Sequence, residues 1–281
     1  MRPDHPCPNR LFVARKPPGI GSNAYLSRLK RRYGVKKAGF SGTLDPFAKG
    51  TLIVAFGQYT KLFRFLDKTP KTYRATLWLG AHSPTLDIEK IARIDTPSPF
   101  DPKRIAETVE AFAGEFSYTP PAFSAKKIDG RRAYEIARRG EAAQLATVTS
   151  TIYKIRLLHY RHPFVTFEAT VSEGTYIRSL GEAIARRLGC AGALSALERV
   201  REGRFVYDAQ KPLDPLDYLV PPPNRYLGEA EDLHLGRPLA HDRLALGDAG
   251  VYHLCFDDYF AIIEITQRLE VRYLLNKVKR C

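Results

Sequence analysis

The sequence predicts an α+β chain in which a mostly antiparallel central sheet is flanked by helices and followed by a small β unit. Three observations carry that prediction. Residues 71–80, 152–158 and 164–171 alternate apolar and polar side chains with the period of a strand. Helical spacing is confined to stretches that do not alternate regularly with those strands, so no βαβ series and no doubly wound sheet follows. Prolines 212, 215 and 221–223 punctuate residues 211–224, a join beyond which only short strand-like runs remain.

In chain order, residues 11–15 read as a short strand, followed by the turn Pro17–Pro18–Gly19. Ser22 or Asn23 then caps a helix running to about Tyr33, where Gly34 stops it. Its apolar positions Leu26, Leu29 and Tyr33 fall on one side, which leaves Arg28, Lys30, Arg31 and Arg32 outside, with Lys36 and Lys37 just beyond. Residues 51–56 form a continuous apolar run suited to a strand buried on both faces. A short helix is expected over 60–66, and a strand over 71–80 that places Tyr73 on the same face as Leu77.

Residues 101–113 carry the marks of an amphipathic helix: Asp101 as cap, Pro102 at the first position, Ile105, Val109 and Phe112 inward, and Gly114 as the stop. Lys126, Lys127, Arg131, Arg132, Arg138 and Arg139 make a basic cluster leading into a helix that ends at Gly140. The strands 152–158 and 164–171 join at His162–Pro163 as a hairpin, and Thr175 opens a helix through Leu188, closed by Gly189. Past the Pro-rich join, residues 250–256, 257–258 and 259–266 read as strand, turn and strand, with a third strand over 268–275.

Composition narrows the function. The chain has 281 residues, 44% hydrophobic and 26% charged, enough to bury a substantial core. Its longest clean apolar run, residues 52–56, is far short of the roughly 18–20 residues of a membrane helix, and residues 1–10 are not signal-like. Cys7, Cys190, Cys255 and Cys281 form no CxxC pair, so neither a disulfide framework nor a zinc cage is expected, and a reducing cytoplasm is the natural compartment. His159 and His162 fall on opposite faces of a strand, unsuited to a shared metal, and no metal site is expected. The formal charge is +14, and it is unevenly spread: residues 1–205 carry +17 and residues 206–281 carry −3. The first part is therefore the candidate polyanion-binding surface, with nucleic acid as the expected partner.

Chemistry concentrates at residues 38–50, where Asp45 stands in a loop of small residues between two apolar segments. An isolated Leu–Asp–Pro is an ordinary turn or helix start. Its context is not ordinary: Lys16–Pro17–Pro18–Gly19 and Ser22 lie upstream, Gly57–Gln58–Tyr59–Thr60–Lys61 downstream, then Lys71–Thr72–Tyr73–Arg74 and Gly174–Thr175–Tyr176–Ile177–Arg178. In that order and spacing these blocks resemble the TruB family of tRNA pseudouridine synthases, from about Lys16 to about Val200.

The resemblance implies the pseudouridine synthase fold, with residues 1–220 as the catalytic domain and residues 224–281 as a small PUA-like RNA-binding β domain. It implies a monomeric, cofactor-free enzyme that isomerises uridine in the T loop of tRNA, at position 55, after flipping the base out of its stack. Asp45 would be the reacting carboxylate, and Arg178 would keep it ionised and aimed, since a nearby guanidinium lowers a carboxylate pKa by roughly 1–3 units. Tyr73 would stack on the uracil and accept the C5 proton. Tyr176 and Leu197 would wall the pocket, and Lys16 would touch phosphate or solvate its turn. Residues 118–140, with Lys126, Arg131 and Arg132, would be an insertion that closes over the RNA like a thumb. At Phe40 this chain departs from the family, which often has His there, at a position thought to fill the space left by the displaced base.

Two other readings compete. A non-catalytic RNA-binding or folding protein on the same scaffold would be expected to lack Asp45, Tyr73 or Arg178, and all three are present. A base-excising hydrolase would want a second carboxylate to activate water, and none is clearly assigned to that task. Attack by Asp45 at C1′ and elimination to a glycal both stay open as the first step.

Overall fold

The computed structural model describes residues 8–121 and 145–281 and, between them, residues 123, 124, 127, 128, 131, 132, 136 and 139. The chain opens with β1 (Arg10–Lys16), α1 (Ser22–Tyr33), β2 (Ala38–Phe40) and β3 (Lys49–Phe56). There follow β4 (Lys71–Leu79), the short pair β5 (Ala81–His82) and β6 (Arg93–Ile94), α2 (Pro102–Glu110) and β7 (Gly114–Tyr118). A second short pair, β8 (Lys127–Ile128) and β9 (Arg131–Arg132), precedes β10 (Val148–Arg161), β11 (Phe164–Val171), α3 (Ile177–Leu188) and β12 (Gly192–Glu202). The C-terminal elements are β13 (Pro223–Asn224), α4 (Ala230–Leu235), β14 (Gly250–Phe256), β15 (Tyr259–Ile265) and β16 (Val271–Lys279).

The main sheet runs β1-β3-β12-β4-β11-β10-β7, with β2 also on β3. Every ladder in it is antiparallel except the two-residue contact of β12 with β3, Glu198 with Lys49 and Arg199 with Gly50. The mostly antiparallel α+β class read from the sequence is the class observed. Two helices start and stop where side-chain chemistry directs: Asp101 accepts from the Lys103 amide at 2.9 Å to begin α2, and Gly189 at φ +86 ends α3.

Burial explains the layers. α2 and α3 cover one face of the sheet through Ile105, Val109, Leu180 and Ile184 against Leu77, Val165 and Phe167. Strands β1 and β3 are covered twice. Their even-numbered side chains, Phe12, Leu52 and Val54, pack under α1 with Leu29. Their odd-numbered ones, Leu11, Val13 and Ile53, share a cluster with Phe260, Ile262 and Val278 of the C-terminal sheet, which is ordered β13-β14-β15-β16. The uninterrupted apolar run at residues 51–56 has this cause, because neither face meets water.

Several expectations are corrected. The helix expected over 60–66 is a single 3-10 turn, Gly57–Lys61. Ser22 does not cap α1; Gly21 flanks that helix, and the Ser22 hydroxyl is used elsewhere. The third C-terminal strand starts at Val271 and runs on to Lys279. Helix α3 begins at Ile177, with Tyr176 as the residue before it. Strand β12, in the middle of the sheet, has no counterpart in the sequence reading. Cys190 and Cys255 are free, whereas Cys281 is disulfide-bonded, a cross-link that the scattered spacing does not announce. Most of the helix expected up to Gly140 lies outside the described residues. Among the described residues, no helix is long and apolar enough to cross a membrane.

Strand β3 shares its second edge between β12 at its start and β2 at its end, so the loop joining β2 to β3 emerges where the two neighbours part. Close approach of β12 there requires Gly50, at φ +112, where a Cβ would fall 2.3 Å from the Arg199 carbonyl oxygen. Gly50→Ala should therefore destabilise the fold by about 3 kcal/mol or more, from backbone strain plus the clash. Gly19→Ala, at φ +79 with nothing within 4 Å, should cost only about 1–2 kcal/mol. Thermal unfolding of the two variants compares them directly, and equal losses would mean that the β12–β3 contact yields to the added methyl.

Candidate active site

The loop over residues 41–48 carries Asp45, and its backbone is pinned from several directions. Ser22 Oγ accepts from the Leu44 amide at 3.0 Å and donates to the Leu44 carbonyl at 2.9 Å. The Gly19 amide donates to the Pro46 carbonyl at 2.8 Å, and the Ala48 amide returns to the Asp45 carbonyl at 3.1 Å. Leu44, Phe47 and Ala48 are buried beneath. A loop held in this way offers its one carboxylate in a fixed direction.

That carboxylate meets Arg178, which projects from the first turn of α3. Nε lies 2.9 Å from Oδ2, and Nη2 donates to Oδ1 at 3.2 Å, so the guanidinium edge engages both oxygens. The remaining donors are also used. Nη2 donates to the Phe123 carbonyl at 3.0 Å and Nη1 to the Thr85 carbonyl at 2.8 Å, with Asp87 Oδ2 3.4 Å from Nη1. Asp87 is itself buried, and its Oδ1 accepts from Thr85 Oγ1 at 2.6 Å and from the Glu89 amide at 3.0 Å. Burial pushes the Asp45 carboxyl above its ordinary value, against the pull of Arg178 and with a further push from Asp87. Arg178 pulls the carboxyl down through both its charge and its hydrogen bond, and desolvation is the larger, opposing effect.

Asp45 and Arg178 border a pocket of about 350 Å3 whose lining also includes Gly42, Lys71, Tyr73, Tyr176, Leu197 and Arg199. Alternation on β4 brings Lys71 and Tyr73 to one face, and the register places Arg199 opposite Tyr73 and Leu197 opposite Ala75. Tyr73 and Leu197 are buried at the wall. Tyr176 is set by Tyr118, whose hydroxyl accepts from the Tyr176 amide at 2.9 Å and donates to the Gly174 carbonyl at 3.3 Å. The two rings meet edge to face with centroids 6.2 Å apart. Burial raises the Tyr176 phenol pKa.

The pocket thus gathers Asp45, Tyr73, Arg178, Tyr176 and Leu197, which the sequence singles out, and leaves others apart. Phe40 does not line it; that ring sits on β2 opposite Val54, half-buried against the cluster under α1. Lys16 is 0% exposed, with Nζ donating to the carbonyls of Ile20 at 2.6 Å, Pro17 at 3.0 Å and Pro46 at 3.3 Å. It clamps the turn and the Asp45 loop from inside and has no free donor face for a phosphate. Lys126 lies outside the described residues, and Arg131 and Arg132 are described only as the strand β9 paired with β8. The sequence reading misses Thr85, Asp87 and Tyr118. The polar cluster Ser83–Pro84–Thr85–Leu86–Asp87 is the available signal for the first two, since such side chains buried between strand ends need a partner.

The comparisons with known proteins fit this geometry. A family model described as TruB family pseudouridylate synthase (N terminal domain) matches residues 30–177. A protein of a Nitratiruptor species named tRNA pseudouridine synthase B is 59% identical over 272 residues, covering 97% of this chain and 98% of that protein. One of the same name from Campylobacter jejuni is 50% identical over 273 residues, covering 97% and 100%. A crystal structure of the archaeal box H/ACA sRNP Nop10–Cbf5 complex matches with a TM-score of 0.65 at 20% identity, covering 96% of this chain and 86% of that chain. The fold is that of the pseudouridine synthases. Within it, the chain belongs to the TruB family.

Lys16 provides a test of the clamp. Lys16→Met takes the Nζ donor from the Ile20 and Pro17 carbonyls and leaves the Pro46 carbonyl with the Gly19 amide alone, and should lower stability by about 2–4 kcal/mol. Burial also lowers the Lys16 pKa from 10.5 to about 8, against the pull of the Asp45 and Glu89 carboxylates. Between those two values the unfolded chain binds the extra proton, so this residue makes stability rise with pH across that window. The methionine variant should lack that rise in denaturant titrations. An unchanged melting temperature would mean that Nζ does not hold the loop.

Proposed function

We propose that the protein isomerises uridine to pseudouridine in the T loop of tRNA, at position 55, with Asp45 as the reacting carboxylate. The observation that carries this reading is the paired engagement of Asp45 by Arg178 at the border of a pocket walled by Tyr73, Tyr176 and Leu197. The names of the family and of the curated relatives support the substrate class.

The reaction breaks the C1′–N1 bond, turns the freed uracil, joins C1′ to C5, moves the C5 proton away and leaves N1 protonated. Nothing is oxidised and nothing is lost. An ionised carboxylate beside the ribose serves attack at C1′ and elimination to a glycal alike. Arg178 aims that carboxylate with two contacts, and its own position is held by the Thr85 and Phe123 carbonyls. Tyr73 stacks on the loosened uracil, and its hydroxyl takes up the C5 proton as it gives up its own; Tyr176 and Leu197 keep the base from leaving. A base in a stacked loop cannot reach this pocket, so the nucleotide is flipped, which costs a few kcal/mol. The hydrolase reading wants a second carboxylate to activate water, and Asp87, on the far side of Arg178, is buried and already accepts from Thr85 and the Glu89 amide.

Residues 1–220 act as the catalytic domain in this reading, with the insertion at 118–140 closing on the RNA and residues 224–281 as a PUA-like unit. The excess positive charge of residues 1–205 supplies the phosphate contacts.

Pseudouridine mapped at single-nucleotide resolution in an unmodified tRNA transcript tests the whole reading, and no product at the T-loop uridine would overturn it. Asp45→Asn should bind that transcript nearly as well as the native protein while kcat falls by about 10³-fold or more. Robust turnover would remove Asp45 from the mechanism. Because the reaction needs the ionised carboxylate and burial raises its pKa, kcat/KM of the native protein should climb with pH through a limb centred above the ordinary carboxylate value.

A further inference from the structure

The wall of the pocket built by β4 and β12 carries two cations to which the mechanism above gives no task. Arg199 is 1% exposed, and the Lys71 side chain 7%. Two buried cations side by side are costly unless compensated. A single buried carboxylate, Glu202, faces both, with Oε2 3.3 Å from Arg199 Nη2 and Oε1 3.2 Å from Lys71 Nζ. Glu202 Oε1 also accepts from Ser41 Oγ at 2.7 Å, which ties this cluster to the Asp45 loop. One positive charge is left over, on side chains that line the pocket.

That surplus meets a carboxylate of a different kind, which a third cation shares. Glu173, on the turn after β11, is 51% exposed at its side chain, and Oε1 lies 3.6 Å from Lys71 Nζ and 3.1 Å from Lys68 Nζ. Against the desolvation that burial imposes, those two ammonium groups hold the Glu173 carboxyl below its ordinary value. Arg199 meanwhile spends Nε on the Thr51 carbonyl at 2.8 Å and Nη2 on the carbonyls of Gly42 at 2.9 Å and Ser41 at 3.4 Å, leaving Nη1 without a hydrogen bond among the described residues. Gly42, at φ +57, lies over the pair: a Cβ there would come 3.0 Å from Lys71 Nζ and 3.1 Å from Arg199 Nη1. Glycine keeps a side chain from closing over the two groups on that side.

We infer that Lys71 and Arg199, with Lys68 at the lip, form a subsite for one backbone phosphodiester of the RNA, held in the free protein by the Glu173 carboxylate, which gives way when RNA enters. A phosphodiester repeats the single negative charge and the two acceptor oxygens of the carboxylate it replaces. A uracil carbonyl repeats neither and would leave the surplus charge uncompensated. The subsite rests on the reading of the pocket as an RNA site and adds a contact that fixes register rather than base identity.

Direct binding tests it without relying on turnover. A stem-loop RNA carrying the target uridine is compared with versions in which each phosphate flanking that uridine is, in turn, a neutral methylphosphonate. Native protein should lose about 5-fold or more in Kd for one of the neutral positions. Lys71→Met should lose that discrimination, and Lys68→Met, altered only at the lip, should lose part of it if the Lys71 variant does not fold. Glu173→Gln removes the internal competitor and should bind the natural RNA about 2- to 10-fold more tightly. Unchanged or weaker binding by Glu173→Gln, or tolerance of every neutral phosphate by native protein, would overturn the subsite. RNA that binds with the expected pattern but yields no pseudouridine would overturn the enzymatic reading and leave the subsite standing. Failure to bind RNA would overturn both.

Discussion

One guanidinium shared by two carboxylates governs how the centre of this protein is built. Arg178 is buried, and a buried cation must find a partner for each donor or lose more than it gains. Asp45 and Asp87 sit on either side of it, and the carbonyls of Thr85 and Phe123 take the rest. Meeting that demand brings together the first turn of α3, the loop before β3, the segment around residue 85 and the backbone at Phe123. The pocket is what those pieces enclose. The charges around Arg178 are ordered by the protein's own partners, which is the condition under which charged groups act most strongly on a neighbouring site.

A second charge cluster lies under the same loop and works on its backbone. Arg199 reaches the Ser41, Gly42 and Thr51 carbonyls, and Glu202 takes the Ser41 hydroxyl. Lys16 reaches the other end of the loop at Pro46. Asp45 is thus positioned by side chains from β1, β12 and α1 as well as by its own partner, and the aim of the carboxylate does not depend on the loop's intrinsic stiffness.

Legibility in the sequence followed how local the determinants were. The Gly34 stop of α1, the Asp101 cap of α2 and the alternation of the β10–β11 hairpin are local and were readable, whereas the cap of α1 and the end of α2, which closes at Glu110 with Gly114 opening β7, were not. Strand β12 was not. Gly-Ala-Leu-Ser-Ala-Leu-Glu-Arg-Val-Arg-Glu is rich in strong helix formers, yet it is a strand because β4 and β3 offer it free edges and because its charged positions Arg199 and Glu202 find partners only there. Propensity yielded to tertiary context. Leu197 was named for the pocket, but its neighbour by two, Arg199, escaped notice, since the period that joins them appears only once the segment is known to be extended. Lys16 and Asp87 illustrate the same limit: a charged residue in a loop reads as surface until the fold shows what surrounds it.

The double covering of β1 and β3 bears on the order in which the molecule can be completed. Leu11 and Val13 share one cluster with Phe260, Ile262 and Val278, and Asn9 donates to the Lys279 carbonyl at 2.9 Å. Strands from the two extremes of the chain therefore close on each other, a contact with a large loop-closure penalty. During vectorial synthesis the first strands leave the ribosome long before the residues that will cover them. The half of the sheet that bears the Asp45 loop must wait, with one apolar face open to water or to a chaperone, until residues 260–278 have been made.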